Sequence, residues 1–123
     1  MFPLRRVLCI GDEPVGLNRR CQFLREHRWS VKGSGNAYAG LQSIAHSPVD
    51  VVVLDLNSDE AENALIAGAL KRQHHPLPVV IVAAQEDVPV LSSLADAVVP
   101  KPEDYSCLLT VLDGLLSPPH VRQ

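Results

Sequence analysis

The chain has 123 residues, a formal net charge of −3, 46% apolar residues and 20% charged residues. That length supports one core and no second domain, and the composition is ordinary for a soluble globular protein. The acidic balance argues against direct nucleic-acid binding. No apolar run approaches the roughly 20 residues that span a bilayer, so no membrane partner is expected.

Apolar runs alternate with helix-period segments, the pattern of a βαβ series and a mainly parallel sheet. A first strand over about residues 5 to 10 leads to a helix opening near Pro14, with Leu17, Cys21 and Leu24 as its inward stripe. A second strand near Trp29 to Lys32 runs into Gly33-Ser34-Gly35-Asn36, read as a turn. The second helix then faces the core with Ala37, Leu41, Ile44 and Ala45, and Pro48 stops it before a third strand at 50 to 54. Asp59 and Glu62 have capping-box spacing, so the third helix is expected to start there and to bury Ala61, Leu65, Ala69 and Leu70. His74-His75-Pro76 ends it, the two adjacent histidines pointing apart at the surface. A fourth strand over Val79 to Ala83 precedes a short fourth helix, about two turns within Glu86 to Leu94, where Pro89 fits only near the start. A fifth strand near Asp96 to Val99 and a last helix carrying Leu108, Leu109, Leu112 and Leu115 complete a domain over 1–116, and 117–123 reads as an unstructured tail or the start of a linker.

Residues 1 to 32 hold seven of the eleven basic groups and residues 50 to 113 eleven of the fourteen acidic ones, so the two halves differ in sign. Arg19, Arg20, Arg25 and Arg28 fall along the first helix and read as a solvated face rather than a docking surface. Cys9, Cys21 and Cys107 are odd in number and widely spaced in apolar patterns, so they read as buried small hydrophobes rather than a disulfide or zinc framework. Arg5 and Arg6 ahead of a short apolar run do not make a signal peptide, and the expected location is cytoplasmic.

The chemistry lies at strand ends. Val51-Val52-Val53-Leu54 ends in Asp55, Val7-Leu8-Cys9-Ile10 in Gly11-Asp12-Glu13, and Ala97-Val98-Val99-Pro100 delivers Lys101. In a parallel sheet these groups meet at the carboxyl edge, where open α/β sheets bind ligands. Carboxylates on neighbouring strands, with Glu13 as a third acidic group, suit Mg²⁺, which takes few protein oxygens plus waters and a phosphate oxygen. Asp12 would be the chief ligand and Asp55 a second, with Asn57 presenting its backbone carbonyl. Asp55 could then attack phosphorus to form an aspartyl phosphate, and Lys101 would neutralise phosphoryl charge.

On the segments Val7 to Pro14, Ser47 to Asn57, Leu77 to Ala84 and Lys101-Pro102-Glu103-Asp104, the chain resembles receiver domains of two-component response regulators. The resemblance implies a flavodoxin-like five-stranded parallel sheet in the order 2-1-3-4-5, doubly wound with helices on both faces. It places Asp55 on the phosphoacceptor, Asp12 and Glu13 in the acidic pocket, Asn57 on the carbonyl metal ligand and Lys101 on the family lysine, with a cis peptide before Pro102. It implies Mg²⁺ as cofactor and a sensor histidine kinase or phosphotransfer protein as partner in a phosphorelay. The output partner is unspecified, a homodimer is compatible with it, and the domain is a signalling module rather than an enzyme.

Four departures stand beside the matches. Gly11 replaces the first acid of the usual pair, Ala83 replaces the switch hydroxyl, Val98 stands where an aromatic switch residue is common, and the fourth helix is short. Two readings follow: a phosphoaccepting receiver with an altered readout, and a pseudo-receiver that binds proteins independently of phosphorylation. A haloacid-dehalogenase-like phosphatase, suggested by Asp55-Leu56-Asn57, lacks its second aspartate because Asn57 takes that place.

Overall fold

The computed structural model describes residues 4–56, 60–72 and 76–116. The elements in chain order are β1 Arg6–Gly11, α1 Pro14–Glu26, β2 Ser30–Ser34, α2 Ala37–His46, β3 Val51–Asp55 and α3 Glu60–Lys71. β4 Val79–Ala83, a 3₁₀ turn Gln85–Asp87, α4 Val88–Leu91, β5 Ala97–Pro100 and α5 Tyr105–Leu115 follow. The strands form one parallel sheet in the order β2-β1-β3-β4-β5. This is the doubly wound, flavodoxin-like arrangement expected from the sequence.

The central strands are apolar at nearly every position because both faces are covered. Leu8, Ile10, Val52, Leu54, Val79 and Ile81 point to one face, against Ile66, Ala67 and Leu70 of α3 and Leu91 of α4. Val7, Cys9, Val51, Val53, Val80 and Val82 point to the other, against Cys21 and Leu24 of α1 and Leu108 and Leu112 of α5. The period of two along each strand thus feeds two separate cores. On the first face α2 comes in close: a Cβ on Gly40 would lie 3.0 Å from Ile10 side-chain carbons.

Several expected positions shift. β2 starts one residue later than read and takes in Gly33 and Ser34, leaving Gly35 and Asn36 as the turn, with Asn36 Oδ1 accepting from Ala39 N at 3.0 Å as the α2 cap. Ala45 is exposed, since Gly40 takes the inward place beside Ala37, Leu41 and Ile44. On α3 the buried face is Asn63, Ile66, Ala67 and Leu70, so Ala61, Ala69 and the 71%-exposed Leu65 face outward. Cys107 is exposed because it precedes the buried Leu108 on α5, whereas Cys9 and Cys21 are buried and all three are free. The fourth helix is short as read, with Pro89 in its first turn. Asn57, Asp59, His74, His75 and the tail 117–123 lie outside the described residues.

α1 ends in a left-handed cap. Trp29 N donates to Leu24 O at 3.1 Å and Arg28 N to Arg25 O at 3.1 Å, the paired bonds of a Schellman motif, with Leu24 and Trp29 buried together in the core. The residue at the left-handed position is Arg28, at φ 71°. An L side chain there is strained, and glycine is the residue that fits without cost. Arg28→Gly is therefore expected to raise stability by roughly 0.5–1 kcal/mol in urea unfolding, and an unchanged or lowered midpoint contradicts that reading of the cap.

Candidate functional site

Register sets the geometry of the sheet mouth. Gly11, the last residue of β1, pairs with Asp55, the last of β3, and Ala83 pairs with Pro100 across β4 and β5. Lys101 N then donates to Ala83 O at 2.8 Å, which fixes the chain leaving β5 above β4. From there Lys101 Nζ reaches 2.8 Å from Asp55 Oδ1. Oδ1 is thus a buried carboxylate oxygen in an ion pair with Lys101, with no hydrogen bond among the described residues. The structure thus brings together Asp55 and Lys101, from segments 46 residues apart by their numbering.

The other oxygen is taken from an unexpected direction. Arg20 of α1 is 2% exposed and donates from Nη2 to Asp55 Oδ2 at 2.7 Å. The same guanidinium forks onto Glu103, Nε to Oε2 at 2.8 Å and Nη2 to Oε1 at 2.7 Å. Glu103 follows the cis Lys101–Pro102 peptide and precedes Asp104, whose carboxylate caps α5 by accepting from Ser106 N at 2.9 Å. The cap fixes the chain immediately beyond Glu103. Burial alone would lower the Arg20 guanidinium, but the carboxylates of Glu103 and then Asp55 outweigh it and hold its pKa above the ordinary arginine value.

Arg20 was read from the sequence as part of a solvated face, and the structure overturns that. The signal was present: position 20 is three residues after Leu17 and four before Leu24, inside the stripe that predicts the buried side of α1. Glu103 was likewise missed, since a lone acid beside a proline carries no pattern of its own.

The remaining sequence candidates sit around this cluster. Asp12 follows Gly11 at the exposed rim. Glu13 is turned to the start of α1, where its carboxylate accepts from Val15 N at 2.9 Å and Gly16 N at 2.8 Å, as an N-cap favoured by the helix dipole. Ala83 is buried and Val98 is half-buried against the α3 side of the sheet. A small cleft of about 50 Å³ opens there, lined by Leu56, Asn63, Ala83, Asp87 and Lys101 among others. Asn63 Nδ2 donates to Leu56 O at 3.0 Å, while its buried Oδ1 has no hydrogen-bond partner among the described residues.

Chemically the buried cluster is balanced. Asp55 and Glu103 face Arg20 and Lys101, two carboxylates against two cations. Among the described residues no group of three acidic, histidine or cysteine side chains is gathered as a metal site. A hard cation would find the Asp55 carboxylate, one oxygen paired with Lys101 and the other held by Arg20, and the exposed Asp12 one residue beyond Gly11, the register partner of Asp55.

Breaking a buried pair from one side strands a charge. Arg20→Met is expected to lower stability by about 3 kcal/mol in urea unfolding, and adding Glu103→Gln is expected to return part of that loss. Strictly additive losses would show that the two side chains do not act as a pair.

Comparison with known proteins agrees with this fold. The profile of the response regulator receiver domain family matches residues 7–113. A sensor histidine kinase, GacS of Pseudomonas protegens, is 30% identical over 84 residues, which are 64% of this chain and 9% of that protein. This chain therefore matches only a small part of that relative. The response regulator TrrA of Thermotoga maritima, solved in complex with Mg²⁺-BeF, superposes with a TM-score of 0.81 at 22% identity, over 92% of this chain and 100% of that one. A sensor protein from Polaromonas sp. JS666 gives 0.80 at 23% identity, over 91% and 95%. At these identities the structural likeness concerns the fold.

Proposed function

The chain belongs to the response regulator receiver domain family, and from that premise we propose that Asp55 accepts a phosphoryl group from a histidine kinase or phosphotransfer protein. The observation that carries the proposal is the inequality of the two Asp55 oxygens. Oδ2 is tied to Arg20, whereas Oδ1 has no hydrogen bond and lies 2.8 Å from Lys101. In the transfer an Oδ1 lone pair forms the O–P bond as the N–P bond to the donor imidazole breaks. The released electron pair stays on the imidazole nitrogen, and Lys101 neutralises charge on the phosphoryl oxygens. Mg²⁺ is the cofactor in this reading, held by Asp12, Asp55 and the carbonyl of Asn57, and when bound it supplies further neutralisation of acceptor and phosphoryl charge. Glu13 serves the pocket through the cap of α1, since its carboxylate is engaged by the amides there.

The similarity to a sensor kinase supports a phosphorelay partner, and the absence of a helix long and apolar enough to cross a membrane among the described residues fits a cytoplasmic role. Readout is altered in this proposal. Ala83 has no hydroxyl to bond a phosphoryl oxygen and Val98 no ring to move, so the ordinary coupled switch has no parts here. A pseudo-receiver that works through protein contacts alone is the second reading, favoured by the charge balance around Asp55.

Intact-mass measurement after phosphoramidate and Mg²⁺ separates the two. One phosphoryl group is expected on wild type and none on Asp55→Asn, with Lys101→Met slowed roughly a hundredfold. An unlabelled wild type would leave the pseudo-receiver as the account.

A further inference from the structure

Arg20 does more than fill a core position. Its guanidinium lies at the junction of the β1 and β3 ends, with Nη2 on Asp55 Oδ2 at 2.7 Å and Nη1 3.6 Å from the place a Cβ on Gly11 would occupy. Gly11 is the register partner of Asp55 and brings no carboxylate. Nη1 is buried there without a hydrogen-bond partner among the described residues. The other side of the fork is fixed by Glu103, which makes no ion pair with Lys101 among the described residues and serves Arg20 with both oxygens. An arginine held bidentately on one side loses little freedom when it also meets a second carboxylate. The cation is therefore preorganised against Oδ2.

From these contacts we infer that Arg20, held by Glu103, is the resident counter-cation of the acceptor Asp55, and that a divalent ion binds only by displacing it from Oδ2. The inference deepens the phosphoacceptor reading and names a residue that sets its metal dependence. Two positive groups cannot share one carboxylate oxygen at contact distance without repulsion. Apparent metal affinity then scales with the fraction of molecules in which Arg20 has left Oδ2. The consequence is an acceptor kept self-neutralised at low Mg²⁺ and opened for phosphoryl transfer as Mg²⁺ rises.

Mg²⁺ alone, titrated at constant ionic strength and followed by the amide signals of Gly11, Asp12 and Asp55, tests the exchange. The proteins compared are wild type, Arg20→Met and the double variant Arg20→Met with Glu103→Gln. The double variant restores the charge balance of wild type without the competing cation, and it remains informative if the single variant fails to fold. Both are expected to bind Mg²⁺ about tenfold more tightly than wild type. Tightening in the single variant alone would reduce the effect to net charge and overturn the inference, as would affinities that do not move. Phosphoramidate labelling of the same samples reads the acceptor role separately. Shifted affinities with no label on any variant sink that role alone, and labelled proteins with equal affinities sink the resident cation alone.

Discussion

A carboxylate at the mouth of a fully buried strand needs countercharge, and most of the site follows from how this chain supplies it. Every residue of β3 is buried, Asp55 included. Removing a carboxylate from water costs several kcal/mol unless ion pairs and hydrogen bonds replace its hydration. Here they come from α1 through Arg20 and from the segment after β5 through Lys101. Glu103 answers the surplus positive charge from the same segment. The ion pairs tie together parts of the chain 35 and 83 residues apart, so the site can form only when the sheet and its two neighbouring helices are assembled.

That arrangement gives Asp55 two different oxygens. One faces a buried guanidinium and the other a half-exposed ammonium on a flexible stem, which can follow an incoming group as a point charge. In the proposed reading, phosphoryl acceptance and charge balance are in tension, because the same cations that make the buried aspartate tolerable would oppose a metal ion. The cleft beside Ala83 has at its wall the Oδ1 of Asn63, which has no hydrogen-bond partner among the described residues, and Ala83 is the position that the resemblance assigns to the switch hydroxyl. Ala83 itself carries no hydroxyl, and the charged groups at the cleft are Asp87 and Lys101.

Sequence patterns disclosed the architecture because strands with both faces buried are continuously apolar and their polar stops stand out. Asp55 and Lys101 were legible for that reason, each following an apolar run. Arg20 was not, because a charge on a helix is read as facing water, and its inward position shows only when the stripe through Leu17 and Leu24 is given more weight than residue type. On α3 two rival stripes exist, Ala61, Leu65 and Ala69 against Ile66, Ala67 and Leu70. The second wins, with Asn63 drawn inward to donate to Leu56 O. A buried asparagine that satisfies a loop carbonyl has no periodic signature.

The pairing of Arg20 with Asp55 and Glu103 is open to direct observation through the guanidinium ¹⁵N signals, with the exposed Arg19 as an internal control. A fork held on two carboxylates hinders rotation about the Nε–Cζ bond, so the account predicts resolved Nη signals for Arg20 in wild type and their collapse in Asp55→Asn with Glu103→Gln. A single averaged Nη signal for Arg20, matching that of Arg19 in the wild-type protein, would contradict it.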